Sequence, residues 1–399
     1  MKKDVKIVIG ANYGDEGKGM MARYFALEAK RQNKNPIVVL HNGSAQHGHT
    51  VDYGPGRRHV FHHFGSGTGD GIPTYLAETF WVHPMEFARE RVEVLEMGIN
   101  PLVFCDYSAP VITPFDMLVD HATEAWIALQ RGEREYASCG YGTWCALEGR
   151  AVDTPSRVYT VDDYARAFTE ELPSNYTRRI RLLLEQTWKD CLYQLVKRGV
   201  DITQLPDYAD YFTPNSPKKE GLISHFLIDL KIFFDNITLT NFNKIITNFT
   251  PIFETSQGLG LDMNVDNDWH TTSNTGLTNP VKILTPSLAG LVNNVEVCYV
   301  SRSYITRHGI GPMGNETAKK TINEDMTDKT NVHNEFQGTL RYGYPEEKEM
   351  MARIDKDFAA VAKDRRFTKA IAITHCNEFP NEIKEATYES YNPYSVLKN

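Results

Sequence analysis

The stretch Gly10-Ala-Asn-Tyr-Gly-Asp-Glu-Gly-Lys-Gly19 gathers four glycines, a lysine and two adjacent carboxylates behind the apolar run Val5 to Ile9. A glycine-rich turn between a strand and a helix lets backbone N–H groups and the first helical turn converge on an anion, so the stretch reads as a phosphate cradle. The common phosphate loop G-x-x-x-x-G-K-[ST] would need Gly where Asn12 stands and Ser or Thr where Gly19 stands. A carboxylate among phosphates is repelled unless it holds Mg²⁺ or takes a proton from the substrate; Asp15 beside Lys18 therefore points to chemistry as well as binding. A tight turn that is glycine-rich only for packing is the plainer alternative. A second constellation, Asn42-Gly-Ser-Ala-Gln-His-Gly-His-Thr50, follows the apolar run Pro36 to Leu40. His47 and His49, with no nearby Cys or third His, lack zinc-ligand spacing. A general acid is the better reading for one of them, because imidazole titrates nearest neutrality.

These loops need a sheet to hold them. Short apolar strands alternating with helical patterns predict an α/β fold, one large domain with a mainly parallel central sheet covered by helices. The other predicted strands are Val60 to Phe64, Leu102 to Cys105, Pro251 to Glu254, Val295 to Val300 and Ala370 to Thr374, and helices are predicted over Pro84 to Gly98 and Arg178 to Arg198. In the second helix Ile180, Leu183, Leu184, Trp188, Leu192 and Leu195 fall at helical spacing, the mark of a packed face. The stretch 201–248 matches no pattern and reads as a variable insertion. A formal net charge of -8 over 399 residues argues against a nucleic-acid surface. Six cysteines without a C-x-x-C pair read as reduced thiols of a cytoplasmic protein. No apolar run approaches the roughly 20 residues of a membrane helix.

The order of motifs resembles the adenylosuccinate synthetase family. That family carries a W/Y-G-D-E-G-K-G loop and then N-A-G-H-T, matched here by Tyr13 to Gly19 and Gln46 to Thr50. Phe253-Glu-Thr-Ser-Gln-Gly-Leu-Gly-Leu-Asp262 is similar to its F-E-G-A-Q-G-x-x-L-D, and Thr271-Thr-Ser-Asn-Thr275 to its T-S-S-N-T. Thr306-Arg-His-Gly-Ile-Gly-Pro312 is similar to its T-R-V-G-x-G-P, and Asn334-Glu-Phe336 to its N-E-F/Y.

The resemblance implies a P-loop-like single-domain fold and a two-step ligase. Asp15 is then the base that removes the proton from the ring nitrogen beside a purine's 6-oxygen, and His49 stabilises that oxygen. Lys18 neutralises a nucleoside triphosphate's γ-phosphoryl group as it is transferred. Mg²⁺ is implied at Asp15 and the carbonyl of Gly48. The amino group of L-aspartate then displaces phosphate. Nucleotide and phosphate contacts carry over to Gly14, Glu16, Gly17, Gly19, Gln46, Thr50, Gln257, Thr271 and Arg307, and to Ser138 and Cys139 where the family has a T-T-G loop. A homodimer is implied, with Arg150 the nearest match to an arginine that reaches the neighbouring subunit's site; a solvated surface arginine is an equal reading.

Two departures bear on substrates. The family's T-T-G-R-R-R-R loop, which grips the aspartate carboxylates, is shortened to Gln337-Gly-Thr-Leu-Arg-Tyr-Gly343, leaving Thr339 and Arg341 for that task. The guanine-reading T-K-L-D is replaced by Thr374-His-Cys-Asn377, and a neutral amide at Asn377 permits an adenine nucleotide. Both features resemble the phage branch of the family, which joins aspartate to dGMP with ATP or dATP on the route to diaminopurine DNA, in the host cytoplasm. Asp15 itself is the ordinary family residue, where that branch carries a small hydroxyl, so an IMP-using synthetase is the competing expectation. A silent nucleotide-binding homologue and a ligase with another amine donor stay open. No nucleic-acid or membrane partner is expected.

Overall fold

Residues apolar on both faces of a strand demand cover on both sides, and Val5 to Ile9 form such a run. In the computed structural model, which describes residues 2–54, 56–132, 139–151, 159–169, 173–264, 273–326, 331 and 338–399 (the side chains of 148–151, 169 and 173–176 excepted), this run lies at the centre of the main sheet. Its strands are β1 (Lys3–Gly10), β2 (Pro36–Leu40), β3 (Thr74–Leu76), β4 (Val103–Asp106), β5 (Ile237–Thr240), β6 (Thr250–Gly258), β7 (Val292–Arg302), β8 (Phe367–Thr374), β9 (Tyr388–Asn392) and β10 (Ser395–Lys398). Across the sheet they run β10, β9, β8, β7, β1, β6, β2, β3, β4, β5, all parallel except β10 against β9. The chain is thus a single α/β domain with a mostly parallel sheet, as the alternation of elements predicts.

Alternation along β1 divides the core. Val5, Ile7 and Ile9 join Ile37, Val39, Phe253 and Tyr299 on one face, while Val8 joins Val38, Leu40, Ile252 and Val300 on the other. Helix α1 (Lys18–Arg31) covers the second face with Met21, Ala22 and Phe25. Burying such side chains contributes roughly 1.5–3 kcal/mol each, which anchors the loop between β1 and α1. The carboxyl ends of β1, β2, β6, β7 and β8 open at one rim, the usual ligand edge of an open parallel sheet.

Helix α2 (Pro84–Glu96) starts as expected, with Pro at its first position, and stops before Gly98, whose φ of 79° ends the helical path. The helix expected at 178–198 runs Pro173–Lys197 and buries Ile180, Leu184, Trp188 and Leu195. One expectation needs correction. The strand predicted at Val60 to Phe64 is Arg58–Phe61, and it pairs antiparallel with His49–Asp52 in a separate two-stranded ribbon. The stretch 201–248, expected as an insertion, packs into the main architecture. Its helix Pro217–Asp235 buries Ile223, Phe226, Leu230 and Phe233 in the principal core, and its four-residue β5 completes the sheet edge beside β4. All six cysteines are free, and among the described residues no helix is long and apolar enough to cross a membrane.

The start of α2 depends on neutral histidines. His83 Nδ1 accepts the N–H of Glu86 at 3.3 Å, and His63 Nε2 accepts the N–H of His83 at 3.0 Å. Burial pushes His83 down to about 4 and His63 well below its ordinary range. Unfolded histidine takes a proton near pH 6.5, so the unfolded chain binds protons that the folded one refuses, and stability falls as pH drops from 6.5 toward about 4. The His83 shift alone corresponds to about 3 kcal/mol across that window. His83→Asn, which retains a capping side chain, is expected to flatten the fall; melting temperatures measured from pH 7 to 4 check it, and an unchanged slope counts against the histidine cap.

Candidate functional site

The loop after β1 takes three left-handed steps, at Gly14 (φ 98°), Asp15 (φ 57°) and Gly17 (φ 84°). Such turns align successive N–H groups toward one point, and the first turn of α1 adds its own unpaired donors. Glu16 closes the loop from within: its Oε1 accepts the N–H of Asn12 at 2.5 Å, and Lys18 Nζ lies 3.9 Å from its Oε2. Burial drives the Glu16 carboxyl up to about 7 against the pull of Lys18 and the Asn12 N–H. Thr374 at the end of β8 donates its hydroxyl to the Glu16 carbonyl at 3.0 Å, and Arg302 at the end of β7 donates to the carbonyl of Asp15. Gly10 leaves no room for a side chain: a Cβ there would stand 2.2 Å from Glu16 Oε2 and 2.5 Å from the Gln257 carbonyl.

The opposite wall comes from the loop after β2. Asn42 locks it to β6, its Oδ1 accepting the Ser256 N–H at 2.8 Å and its carbonyl accepting the Ser256 hydroxyl at 2.8 Å. His49 then turns inward, its Nδ1 2.8 Å from Oε1 of Glu254, a β6 carboxylate that is 1% exposed. Glu254 also receives the N–H of Ser66 at 3.0 Å and the Ser66 hydroxyl. Burial pushes this carboxyl up, yet His49 and Ser66 outweigh it and hold it below the usual carboxylate range. His49 Nε2 is buried without a hydrogen-bond partner. His47 differs: its Nδ1 lies 3.1 Å from the Ser256 hydroxyl, and burial together with the His49 ring 4.7 Å away pushes it well below the ordinary histidine range.

Between the walls lies a cavity of about 340 Å³. It is lined by Asp15, Glu16, Gly17, Lys18, Gly19, Gly48, His49, Thr50 and Asn377, nine of the residues marked in the sequence. Gly14 and Gln257 stand just behind this wall, Gln257 in a left-handed turn (φ 59°) with its Oε1 buried and unpartnered. Gln46 accepts the hydroxyl of Thr143 at 2.8 Å, which ties the cradle to the start of a helix, Thr143–Ala151. Cys139 sits just before that helix, with burial pushing its thiol up to about 12. Thr339 is exposed beside the strand Arg341–Gly343. Ser138, Thr271 and the side chain of Arg150 lie outside the described residues.

Two of the marked arginines make contacts within the protein. Arg341 spends its fork on Glu316, Nε to Oε1 at 2.8 Å and NH2 to Oε2 at 2.5 Å, and its NH1 donates to the Gly311 carbonyl at 2.8 Å. Arg307 donates to the carbonyls of Ile310 and Pro312 and lies over the Tyr13 ring at 4.9 Å. Other lining residues carried no chemical signal in the sequence: Arg58, Arg302 and the hairpin residues Ser390, Asn392, Pro393 and Tyr394. Glu254 was visible inside the Phe253 to Asp262 motif, but its partner Ser66 lies 188 residues away in the chain. His308 was visible as the odd residue of Thr306-Arg-His-Gly, and its Nε2 lies 3.6 Å from Asp15 Oδ2. Asp15 and Gly48 offer oxygens to one cavity beside Lys18, and among the described residues no group of three His, Cys, Asp or Glu could cage an ion. That donor set fits Mg²⁺, which takes one or two protein oxygens and completes its shell with phosphates and water.

A protein-family model described as adenylosuccinate synthetase matches residues 7–345. A Clostridium botulinum adenylosuccinate synthetase is 25% identical over 328 residues, 79% of this chain and 66% of that protein. The chain spans about two thirds of the length of the curated relatives it matches along most of its own length. The solved structure of fully ligated Plasmodium falciparum adenylosuccinate synthetase superposes with a TM-score of 0.66 at 17% identity, over 94% of this chain and 77% of that one. A cyanophage S-2L succinoaminodeoxyadenylate synthetase, bound to dGMP and to dATP as an energy donor, superposes with a TM-score of 0.62 at 13% identity, over 100% of this chain and 96% of that one.

The packing around Gly10 gives a direct test of the cradle. Gly10→Ala is expected to destabilise the fold by about 1–3 kcal/mol, because a backbone carbonyl and a buried carboxylate must both shift. Gly221→Ala, in a helix with nothing within 4 Å of the new carbon, is expected to gain about 0.5–1 kcal/mol. Urea unfolding of the two variants side by side checks the contrast, and equal stabilities would show that the cradle is not tightly packed.

Proposed function

The chain belongs to the adenylosuccinate synthetase family, and from that premise we propose that it is a C–N ligase joining L-aspartate to the 6-position of a purine nucleoside monophosphate. The observation that carries the proposal is the Glu254–His49 pair, whose free Nε2 shares a cavity wall with Asp15 and Lys18. A binding protein has no use for a base and a polarised histidine in one pocket; a ligase that activates an oxo group needs both.

Each residue has a physical task in this reading. Asp15 takes the proton from ring N1, and the electron pair moves onto O6. His49 in its doubly protonated form, its Nδ1–H held by Glu254, donates a hydrogen bond from Nε2–H to that oxygen as it gains charge and attacks the γ-phosphoryl group. Lys18 and the N–H groups of Gly17 to Gly19 neutralise phosphoryl oxygens, so transfer is governed by positioning and electrostatics. Mg²⁺ at Asp15 and the Gly48 carbonyl would supply further charge neutralisation of the triphosphate. The amino group of aspartate then forms the C6–N bond as the C6–O bond to the phosphoryl-bearing oxygen breaks, releasing inorganic phosphate. His47, hydrogen-bonded to Ser256 and kept neutral by burial, orients the loop and is not the acid.

The acceptor in this proposal is dGMP, giving N6-succino-2-amino-2′-deoxyadenylate, with ATP or dATP as energy donor. Asn377, which lines the cavity rim, supports the adenine nucleotide because an amide can both donate and accept. The fold shared with the cyanophage enzyme supports the acceptor. Retention of Asp15 favours a second reading, conversion of IMP to adenylosuccinate. The protein acts as a homodimer in either case, with Arg150 the candidate to reach across.

Phosphate release and product mass measured for IMP, dIMP, GMP and dGMP, each with ATP, dATP and GTP, test the proposal. dGMP with an adenine triphosphate is expected to exceed IMP, and His49→Asn is expected to lower turnover by about a hundredfold or more without loss of folding. IMP ahead by tenfold would establish the second reading, and no product from any acceptor would remove the ligase. A separate expectation concerns aspartate. If Arg341 is its carboxylate partner, Glu316 competes for the same fork: Glu316→Gln should lower the KM for aspartate and Arg341→Ala should raise it by roughly tenfold, as for loss of a charge-assisted pair. Unchanged KM values in both variants would place the carboxylate site elsewhere.

A further inference from the structure

Asp15 is held in place through its backbone, by its left-handed conformation and by the Arg302 guanidinium on its carbonyl. Neither contact fixes the carboxylate. That group meets one side chain of note, His308, whose Nε2 stands 3.6 Å from Oδ2. The same Nε2 lies 3.1 Å from Oδ1 of Asn331, so the Nε2–H tautomer is the one that meets an acceptor oxygen on both Asn331 and Asp15. The N–H is thus directed into the space shared by Asn331 Oδ1 and Asp15 Oδ2. The other ring nitrogen, Nδ1, is buried and meets no hydrogen-bond partner, so the ring's polar contacts are concentrated on the edge that faces Asp15.

The turn that carries this histidine is braced with unusual completeness. Gly309 and Gly311 take φ values of 69° and 107°, which L side chains rarely adopt. Arg341 NH1 donates to the carbonyls of Gly309 and Gly311, while Arg307 donates to those of Ile310 and Pro312. Four successive carbonyls are therefore held by two guanidinium groups, and Arg341 is itself steadied by Glu316. A turn pinned at every carbonyl delivers the residue at its head to a fixed point, and that point is the carboxylate of Asp15.

We infer that His308 is a positioning residue for Asp15, its Nε2–H engaging Oδ2 so that Oδ1 is presented to the N1–H of the purine. The inference rests on Asp15 being the base of the proposed ligase. A base must lie within hydrogen-bond reach and in line with the proton it removes, and an unrestrained aspartate would sample rotamers that miss it. The role belongs to the donor atom rather than to the bulk of the ring. Valine, the residue of the family pattern at this place, fills space but cannot hold a carboxylate, whereas glutamine places an N–H donor at about the reach of Nε2.

The test compares the full chain with His308→Val and His308→Gln, using whichever acceptor the unmodified protein turns over best. His308→Val is expected to lower kcat by roughly ten- to a hundredfold, as for a misplaced catalytic group. The KM for the purine nucleotide should stay within about twofold, because binding is not what is lost. His308→Gln should restore most of the rate. Wild-type kcat in the valine variant overturns the inference, and so does a glutamine variant as slow as valine with an equal melting temperature, since shape would then be the whole effect. A crystal structure of His308→Val supplies a readout independent of turnover: the Asp15 carboxylate is expected to spread over more than one rotamer, and a single unchanged rotamer overturns the inference. Absence of turnover by the unmodified protein with every acceptor would instead defeat the ligase reading, leaving the rotamer comparison to decide the role of His308.

Discussion

Glu254 is a carboxylate in the middle of a parallel sheet, 1% exposed, and the site depends on how it is satisfied. An ionised carboxylate without partners at that depth would cost several kcal/mol. Its oxygens are met by Nδ1 of His49, the first residue of the ribbon His49–Asp52 and Arg58–Phe61, and by the N–H and hydroxyl of Ser66 in the loop after it. One buried charge therefore draws the start of the ribbon and the loop after it onto β6 and fixes which edge of the imidazole faces the cavity. Removing any of these donors would leave the charge uncompensated, which is why the arrangement behaves as a unit.

The loop after β1 is restrained by the same kind of device from the other side. Glu16 accepts the Asn12 N–H, Asn12 Nδ2 donates to Ser301 at 2.9 Å, and Arg353 donates to the Asn12 side chain and to the Ala11 carbonyl. Arg353 comes from the helix Glu347–Phe358, beyond the segment matched by the family model, and it also stacks on Tyr13 at 5.6 Å. The left-handed conformation of Asp15 costs about 1–2 kcal/mol for a residue other than glycine. A network that reaches the ends of β1, β7 and β8 and a distant helix can hold it there, where a free loop would relax.

Much of this was legible in the residues, and the limit of legibility is physical. β2 coincides with the apolar run Pro36 to Leu40, and β1 (Lys3–Gly10) extends only slightly beyond Val5 to Ile9, because both are largely buried and their hydrophobic signal is local. The cradle was legible because glycine, lysine and carboxylate types must be adjacent to do their work. β3 and β5 were not, since three or four residues of Thr-Tyr-Leu or Ile-Thr-Leu-Thr become strands only when a long-lived neighbour offers its edge. The pairing of Arg341 with Glu316 is a cross-strand contact between short strands of a minor sheet, so the fork that looked free in the sequence is occupied in the fold. The T-T-G-like Ser138 and the T-S-S-N-T-like Thr271 fall outside the described residues.

The distribution of burial across the cavity separates two kinds of residue. Lys18, Glu16, His49 and Glu254 are nearly inaccessible and are held by contacts to several strands, so none can change without disturbing the sheet rim. Asn377, Asn392 and Tyr394 are exposed and stand on a turn and a hairpin at one margin of the sheet, where β10 is its one antiparallel strand. Side chains in that position can be exchanged at little cost to stability, since surface substitutions away from packed or paired groups typically change it by no more than about half a kcal/mol. The fold thus leaves the polar edge of the cavity open to alteration while the buried carboxylates keep the reactive groups fixed. In the ligase proposed above, an exchange at Asn377 alters the polar edge of the cavity without rebuilding the groups that hold His49 and Lys18.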